Sequence, residues 1–202
     1  MTADLALARR LRAQLPPARG WHELTMDELA HAAGVSRMTL HRRGLGRAEL
    51  LDALRQLMRE DFQRETFEAL VADGPANERL RLALEGLARA TEDNLAVLAA
   101  LEDEPRDAIF HEAGDETLTC SEFTQPIERL LRDGALDGTI EVDDPVESAT
   151  LLFNVVGWTY RHLRLGHRWN AERATRAIAD LAVRGVARSS APPPRGARPR
   201  AT

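Results

Sequence analysis

Residues 24–51, with the sequence LTMDELAHAAGVSRMTLHRRGLGRAELL, constrain this chain more than any other segment, because they predict two short helices around a tight turn. Thr25 is a good helix N-cap, and Glu28 follows three residues later, so the two residues form a capping box. One apolar face then recurs with helical spacing at Met26, Leu29, Ala30 and Ala33. We expect Gly34 to end this first helix, because glycine readily takes the left-handed conformation that turns the chain.

The second helix of this pair is predicted from residue 37 to about residue 42, with Ser36 as its N-cap. Only Leu40 points clearly inward. The other side chains of this stretch are expected to lie outside the core, where they can contact a partner: Arg37, Met38, Thr39, His41, Arg42 and Arg43. The segment therefore has the pattern of a helix-turn-helix whose second helix contacts a partner.

These residues resemble the DNA-binding domain of the TetR family of bacterial transcriptional regulators. The resemblance covers residues 5–60 and is carried by Gly20-Trp21, Leu24-Thr25-Met26, Leu29-Ala30, Ala33-Gly34-Val35-Ser36, Thr39-Leu40 and Arg47-Ala48-Glu49-Leu50-Leu51. It departs from the usual pattern at His41, where the family has a tyrosine, and at Gly44, where it has a phenylalanine. The resemblance implies a homodimeric regulator in which a small molecule enters a second, helical domain and changes the spacing of two recognition helices.

We expect the DNA contacts to divide into base reading and phosphate binding. Arg37, Met38 and Thr39 begin the second helix, the part that enters the major groove in helix-turn-helix proteins, and arginine is the commonest reader of guanine. The remaining candidates hold or approach the phosphate backbone: Thr25, Ser36, His41, Arg42 and Arg47. A phosphate next to the imidazole of His41 favours its charged form, so operator affinity is expected to fall as the pH rises from about 6 to about 8.

The distribution of charge agrees with a DNA-binding end. The net charge is −5, but residues 1–60 carry ten arginines against seven acidic residues, and the remainder carries 17 arginines against 25 acidic residues. One end is thus basic and the body acidic, so one face can approach phosphate while the other is repelled.

The sequence predicts a soluble cytoplasmic protein, because it has a single cysteine, Cys120, and we find no long apolar run or leader in it.

Periodicity predicts an all-α chain with a DNA-binding domain at 1–60, a helical ligand-binding and dimerisation domain at 61–188 and a disordered tail at 189–202. The predicted helices outside the central motif run over 5–15, 47–72, 77–101, 122–133, 145–165 and about 171–187, with Gly134 near the end of the fourth. Pro16-Pro17 ends the first helix, and Trp21 fills the gap that this leaves. An acidic loop ends near Pro105, and we expect a short helix through Ile109 and Phe110 and then a loop around Gly114.

The last two helices are the predicted dimer interface. The helix at 145–165 is apolar on almost every side, so one side must be covered by something other than the core of its own subunit. The final helix offers small residues for close approach, in the stripe Ala174, Ala177, Ile178, Leu181, Ala182 and Gly185. The alternative is that both helices are central in a monomer.

A ligand cavity is expected among the middle helices, lined by Phe62, Leu98, Phe110, Phe123, Ile127, Phe153 and Tyr160. The alternative is ordinary core packing, in which case the large domain is a protein-interaction or dimerisation module without a ligand. A third interpretation is a helical-bundle enzyme that uses the acidic segment at 102–116. We expect no cofactor, catalytic group or metal, because the metal-capable side chains of this segment lack a spacing that brings three ligands together.

Overall fold

The structure of the protein is a computed structural model that describes residues 2–16, 19–101, 111–112 and 115–188. Its helices are α1 (Thr2–Gln14), α2 (Met26–Ala32), α3 (Arg37–Arg42), α4 (Arg47–Val71), α5 (Ala76–Asp93), α6 (Leu95–Ala100), α7 (Ser121–Asp137), α8 (Pro145–Leu165) and α9 (Ala171–Val186). A short 3-10 turn, Trp21–Glu23, precedes α2. The predicted all-α class, with an N-terminal helix-turn-helix and a larger helical region after it, is confirmed.

A small β-hairpin is the one departure from helix among the described elements. Its strands are β1 (His111–Glu112) and β2 (Asp115–Thr119), which pair antiparallel. The sequence did not predict these strands, and the position of the loop expected around Gly114 lies outside the described residues. β1 has two residues, and β2, with the sequence DETLT, has no regular alternation of apolar and polar residues, so neither strand shows the pattern that predicts one. The helix expected through Ile109 and Phe110, the acidic loop ending at Pro105 and the tail at 189–202 lie outside the described residues.

Two hydrophobic clusters share the long helix α4. The N-terminal cluster is formed by α1, the 3-10 turn, α2, α3 and the first part of α4, and the second cluster is formed by the rest of α4 with α5, α7, α8 and α9. Along α4, Met58 belongs to the first cluster and Phe62 to the second. The helix α6 follows α5 in the chain, but its Val97 packs in the N-terminal cluster, together with Leu101 just beyond its end. The segment after α5 therefore crosses from the second core to the first.

The crossing is made at Asn94, which divides the single helix predicted for 77–101 into α5 and α6. Asn94 is buried, and its side-chain amide donates to Ala90 O at 2.8 Å and to Asp61 Oδ2 at 3.2 Å. A buried amide is stable only when it is hydrogen-bonded, so these contacts hold the break in place. The expectation of one continuous helix was wrong because one partner, Asp61, lies 33 residues away in the chain.

Gly134 was predicted near the end of a helix, but it lies inside α7. This helix continues to Asp137 and ends at Gly138, which has φ +79°. A Cβ on Gly134 would lie 2.5 Å from the side chain of Ile140, so close packing requires glycine here.

The first helix behaves as expected, because α1 ends at Gln14, before the prolines, and Trp21 is 1% exposed in the N-terminal core. None of the described helices combines the length and the apolar character needed to cross a bilayer.

Candidate DNA-binding and ligand-binding sites

The first helix of the central motif, α2, is held by the predicted capping box. The hydroxyl oxygen of Thr25 accepts from Glu28 N at 3.3 Å, and Glu28 Oε2 accepts from Thr25 N at 2.7 Å. Arg19 also donates to the carboxylate of Glu28. The pKa of Glu28 is lowered to about 2 because hydrogen bonds stabilise its ionised form. The largest effect comes from the Thr25 backbone N–H, the next from Arg19 and the third from the Thr25 hydroxyl. The start of α2 is thus fixed by a permanently charged carboxylate at neutral pH.

The turn between α2 and α3 has the geometry that its residues predict. Gly34 adopts φ +71°, and Val35 N donates to Ala30 O at 3.0 Å. Ser36 then caps α3, its hydroxyl oxygen accepting from Thr39 N at 3.1 Å. Backbone and side-chain hydrogen bonds therefore fix the angle between the two helices, and α3 is presented as a rigid unit.

The outer face of α3 is open to solvent. Leu40 is fully buried and anchors the helix, whereas Met38 is 66% exposed, and His41, Arg42 and Arg43 are also exposed. The Arg37 guanidinium lies on this face and donates to Asp27 of α2 at 3.2 Å. Six of the predicted DNA-contacting residues thus lie together at or near α3: Ser36, Arg37, Met38, Thr39, His41 and Arg42.

Arg47 has a different environment from the other predicted contacts. Its two terminal nitrogens donate to the backbone carbonyls of Trp21 and Leu24, which flank the entry into α2. It therefore joins the start of α4 to the segment before the helix-turn-helix. Contact of Arg47 with phosphate stays a prediction, and its structural role is one that sequence reasoning missed, because it depends on carbonyls more than 20 residues away.

A small cavity of about 50 Å³ lies among α4, α5, α7 and α8. Four of the predicted lining residues surround it, namely Phe62, Leu98, Phe123 and Phe153. The three phenylalanine rings contact one another with centroid separations of 5.4–5.8 Å. Of the other three predicted residues, Ile127 lies in the core, the Tyr160 hydroxyl donates to Glu92 at 2.9 Å, and Phe110 lies outside the described residues.

Sequence reasoning missed several residues of the cavity wall. These are Met58, Leu87, Ala90, Thr91, Asn94, Gly157, Trp158 and Arg161. Trp158 and Arg161 lie one helical turn apart on α8, and the Arg161 guanidinium carbon is 5.6 Å from the centroid of the Trp158 ring. The Nε atom of Arg161 is buried. Their position on the same helix as Phe153 and Tyr160, which were predicted to line the cavity, was the available signal.

The outward faces of α8 and α9 carry exposed apolar side chains: Leu151, Val155, Trp158, Leu165 and Leu181. Leu181 is 72% exposed, which suits a surface that another subunit covers. Ile178 was predicted in the same stripe, but it is 5% exposed and packs in the core with Ala174 and Ala182. The predicted stripe on α9 thus divides between the core of the subunit and its surface.

The comparisons with known proteins point to one group of regulators. A model of the tetracyclin repressor-like C-terminal domain matches residues 73–186. A search of curated protein sequences found no match.

Three solved structures show the same overall fold. One, described as the molecular basis for control of antibiotic production by a bacterial hormone, has a TM-score of 0.69 and 17% identity over 93% of this chain and 100% of its own. A TetR family transcriptional regulator, PfmR from Thermus thermophilus, has a TM-score of 0.64 and 21% identity over 90% and 97%. A putative transcriptional regulator from Saccharomonospora viridis, in complex with choline, has a TM-score of 0.64 and 19% identity over 93% and 99%.

Proposed function

Because this chain belongs to the TetR family of DNA-binding transcriptional regulators, we propose that it is a ligand-responsive repressor that binds a palindromic operator as a homodimer. The family is one of regulators and not of enzymes. The observation that carries the proposal is the exposed face of α3, held rigidly by the capped turn before it.

The outer face of α3 supports contact with the major groove. Arg37 and Met38 are the first residues of the helix and are largely exposed, and a guanidinium can donate two hydrogen bonds to one guanine. Ser36 and Thr25 stand at the N-termini of α3 and α2, where hydroxyls and backbone N–H groups hold phosphate. His41 and Arg42 lie at the far end of α3 and add positive or hydrogen-bonding groups near the backbone of the duplex.

The exposed apolar residues of α8 and α9 support dimerisation. Exposed apolar side chains are unfavourable in water, and a two-fold contact covers the same residues in both subunits. A symmetric dimer would present two copies of α3, and a palindrome with half-sites about one helical turn of DNA apart would match that symmetry.

The cavity supports a small-molecule effector, because its wall is formed largely by apolar and aromatic side chains with a few polar groups, as in typical ligand sites.

Selection from a random pool of duplex DNA tests the proposal. Full-length protein is expected to enrich a palindromic sequence, and the enriched duplex should bind with stoichiometry of one dimer per site. An effector, once found, should release that duplex. Failure to enrich any sequence would contradict the regulatory function, and a DNA-binding protein that no compound releases would favour the second candidate.

The second candidate is a helix-turn-helix regulator whose large domain serves only for interaction. The size of the cavity favours it, because about 50 Å³ is far below the 300–1,000 Å³ of typical ligand pockets. A ligand larger than a few atoms therefore requires the surrounding side chains to move, and the proposal of a ligand-responsive repressor includes that movement.

A further inference from the structure

We infer that the Asn94 side chain transmits changes in the cavity wall to the DNA-binding end, through its hydrogen bonds with Asp61 and Arg12. Asn94 lines the cavity, and Arg12 lies in α1, the first helix of that end. A ligand that enlarges the cavity would withdraw the Asn94 amide from both partners and so loosen α1. The inference rests on the proposed function and deepens it, because it names the contact through which the cavity regulates DNA binding.

Three side chains from different segments close a triangle of hydrogen bonds. Arg12 of α1 donates to Asp61 Oδ2 of α4, and the Asn94 amide nitrogen donates to the same oxygen at 3.2 Å. Arg12 also donates to the Asn94 amide oxygen at 3.4 Å. Each member contacts the other two, so a shift of one side chain changes the hydrogen bonds of both others.

Burial makes these hydrogen bonds costly to lose. Asp61 is 1% exposed and Asn94 is 2% exposed. Water does not readily replace a donor that is lost from a buried carboxylate, so withdrawal of Asn94 would leave Asp61 dependent on Arg12 and Arg64. Arg12 would at the same time lose the amide oxygen that it contacts. A change at the cavity wall is therefore felt directly by a side chain of α1.

Asn94 lies where the wall of the cavity can turn. It separates α5 from α6, and its φ of −112° and ψ of 10° are outside the α-helical range. Residues at the ends of elements absorb the torsional changes of a hinge. The distances of 3.2 and 3.4 Å from Asn94 to its two partners are at the long end for hydrogen bonds, so a movement of about 1 Å would remove both.

Two apolar residues of the cavity wall, Met58 and Leu98, also pack at the N-terminal core. Apolar contacts have no required direction, so these side chains can slide as the cavity of about 50 Å³ enlarges. The hydrogen bonds of Asn94 depend on both distance and angle. Asn94 is therefore the residue of this wall at which a small displacement has the largest effect on the DNA-binding end.

Hydrogen exchange of the full-length, DNA-free protein, measured by mass spectrometry, tests the connection in both directions. Asn94→Leu keeps the approximate size of the side chain and removes its hydrogen bonds. It should raise the exchange rates of amides in α1 by about fivefold or more, the lower end of typical coupling between two sites. Arg12→Met should raise those of α6 by a similar factor. The comparison uses amides that exchange by local opening, and those of α9 should keep the rates of the parent in both variants.

Thr91→Val is the matched control for Asn94→Leu. Thr91 lines the same cavity, but its hydroxyl donates to Leu87 O in its own helix, so its loss should leave the exchange of α1 unchanged. Unchanged exchange of α1 in Asn94→Leu would overturn the inference, as would an equal rise in Thr91→Val or in α9. If Asn94→Leu does not melt cooperatively, the exchange of α6 in Arg12→Met decides, with Arg9→Met as the control.

Operator affinity separates the inference from the proposed function. Asn94→Leu and Arg12→Met should each weaken binding by about fivefold or more, because a loosened DNA-binding end must be ordered again on DNA. The double variant should bind within about twofold of the weaker single variant, since both changes remove one connection. Effects that multiply in the double variant would overturn the inference, and so would unchanged operator affinity in both single variants. Altered exchange in a protein that selects no operator would support the connection and contradict the proposed function.

Discussion

The guanidinium of Arg12 in α1 donates to the carboxylate of Asp61 in α4, which is 1% exposed. This pair joins the first helix of the DNA-binding end to the point on α4 where the two cores meet. Arg64 also donates to Asp61, at 2.7 Å, and Asn94 donates to it from the cavity wall at 3.2 Å. One buried carboxylate thus connects α1, α4 and the break between α5 and α6.

Arg12→Met should lower the free energy of unfolding by about 2–3 kcal/mol. Breaking a buried ion pair by removing one partner costs about 3–5 kcal/mol, and the remaining contact with Arg64 should reduce that cost. Urea denaturation followed by circular dichroism measures the change. Arg9→Met is the matched control on the same helix, because Arg9 lies 3.6 Å from Glu60 in an exposed pair worth no more than about 1 kcal/mol. Equal losses in the two variants would show that the Arg12–Asp61 contact is no stronger than a surface pair.

The parts of the fold that the sequence predicts are those fixed by neighbours along the chain. Thr25, Gly34 and Ser36 form caps and a turn with partners within five residues, so their roles could be read directly. The break at Asn94 depends on Asp61, and Gly134 depends on close approach of Ile140. Such contacts between distant segments leave little trace in a periodic pattern.

The candidate sites divide in the same way. The exposed face of α3 was predictable because so few of its residues are apolar, whereas Arg47 looks the same in the sequence whether it contacts phosphate or the carbonyl of Trp21. On α9, Ile178 and Leu181 share one apolar stripe, yet the first packs in the core and the second is exposed. Amphipathic spacing gives the direction of an apolar face but not which molecule covers it.

Leu181→Glu should convert the proposed dimer to a monomer without unfolding it, because a charge would be buried at the centre of an apolar interface. Sedimentation velocity at micromolar concentration measures the change. Leu136→Glu is the control, since Leu136 is also exposed but lies on α7, which is not one of the two helices of the proposed interface. Ile178→Glu should instead unfold the subunit. A parent protein that sediments as a monomer would contradict the proposed interface.

Asp27→Asn should raise operator affinity by a few-fold. In the free protein Arg37 donates to Asp27, and the negative charge of Asp27 on α2 also repels phosphate. An exposed pair of this kind is weak, so little stability is lost when it is removed.

Arg37→Ala should weaken binding and relax the base preference at one position in each half-site, at a cost of about 1–3 kcal/mol. Fluorescence anisotropy with the selected operator and with single-base variants measures both effects. Unchanged affinity and selectivity in Arg37→Ala would exclude Arg37 as a base-reading residue.

The stability of the helix-turn-helix should depend on pH through Glu28. The pKa of Glu28 is lowered to about 2, first by the hydrogen bond from Thr25 N and next by the one from Arg19. A carboxyl whose pKa is lower in the folded state stabilises that state fully above its ordinary value of 4.5, and this contribution is lost as the pH falls from there through about 2. Glu28→Gln keeps an oxygen that can accept from Thr25 N but removes the charge, so its stability should lack this part of the acid dependence.

Urea denaturation between pH 6 and pH 3 tests this dependence, with the difference in unfolding free energy between the parent and Glu28→Gln as the measured quantity. The difference should be constant above about pH 5 and should shrink as the pH falls below it. Arg19→Met removes one of the two principal causes of the lowered pKa, so in that variant the contribution of Glu28 should be smaller, and its loss should be complete at a higher pH than in the parent. Other carboxylates titrate in all three proteins and cancel in the comparison. A difference between parent and Glu28→Gln that stays constant down to pH 3 would mean that the ionised carboxylate of Glu28 does not stabilise α2.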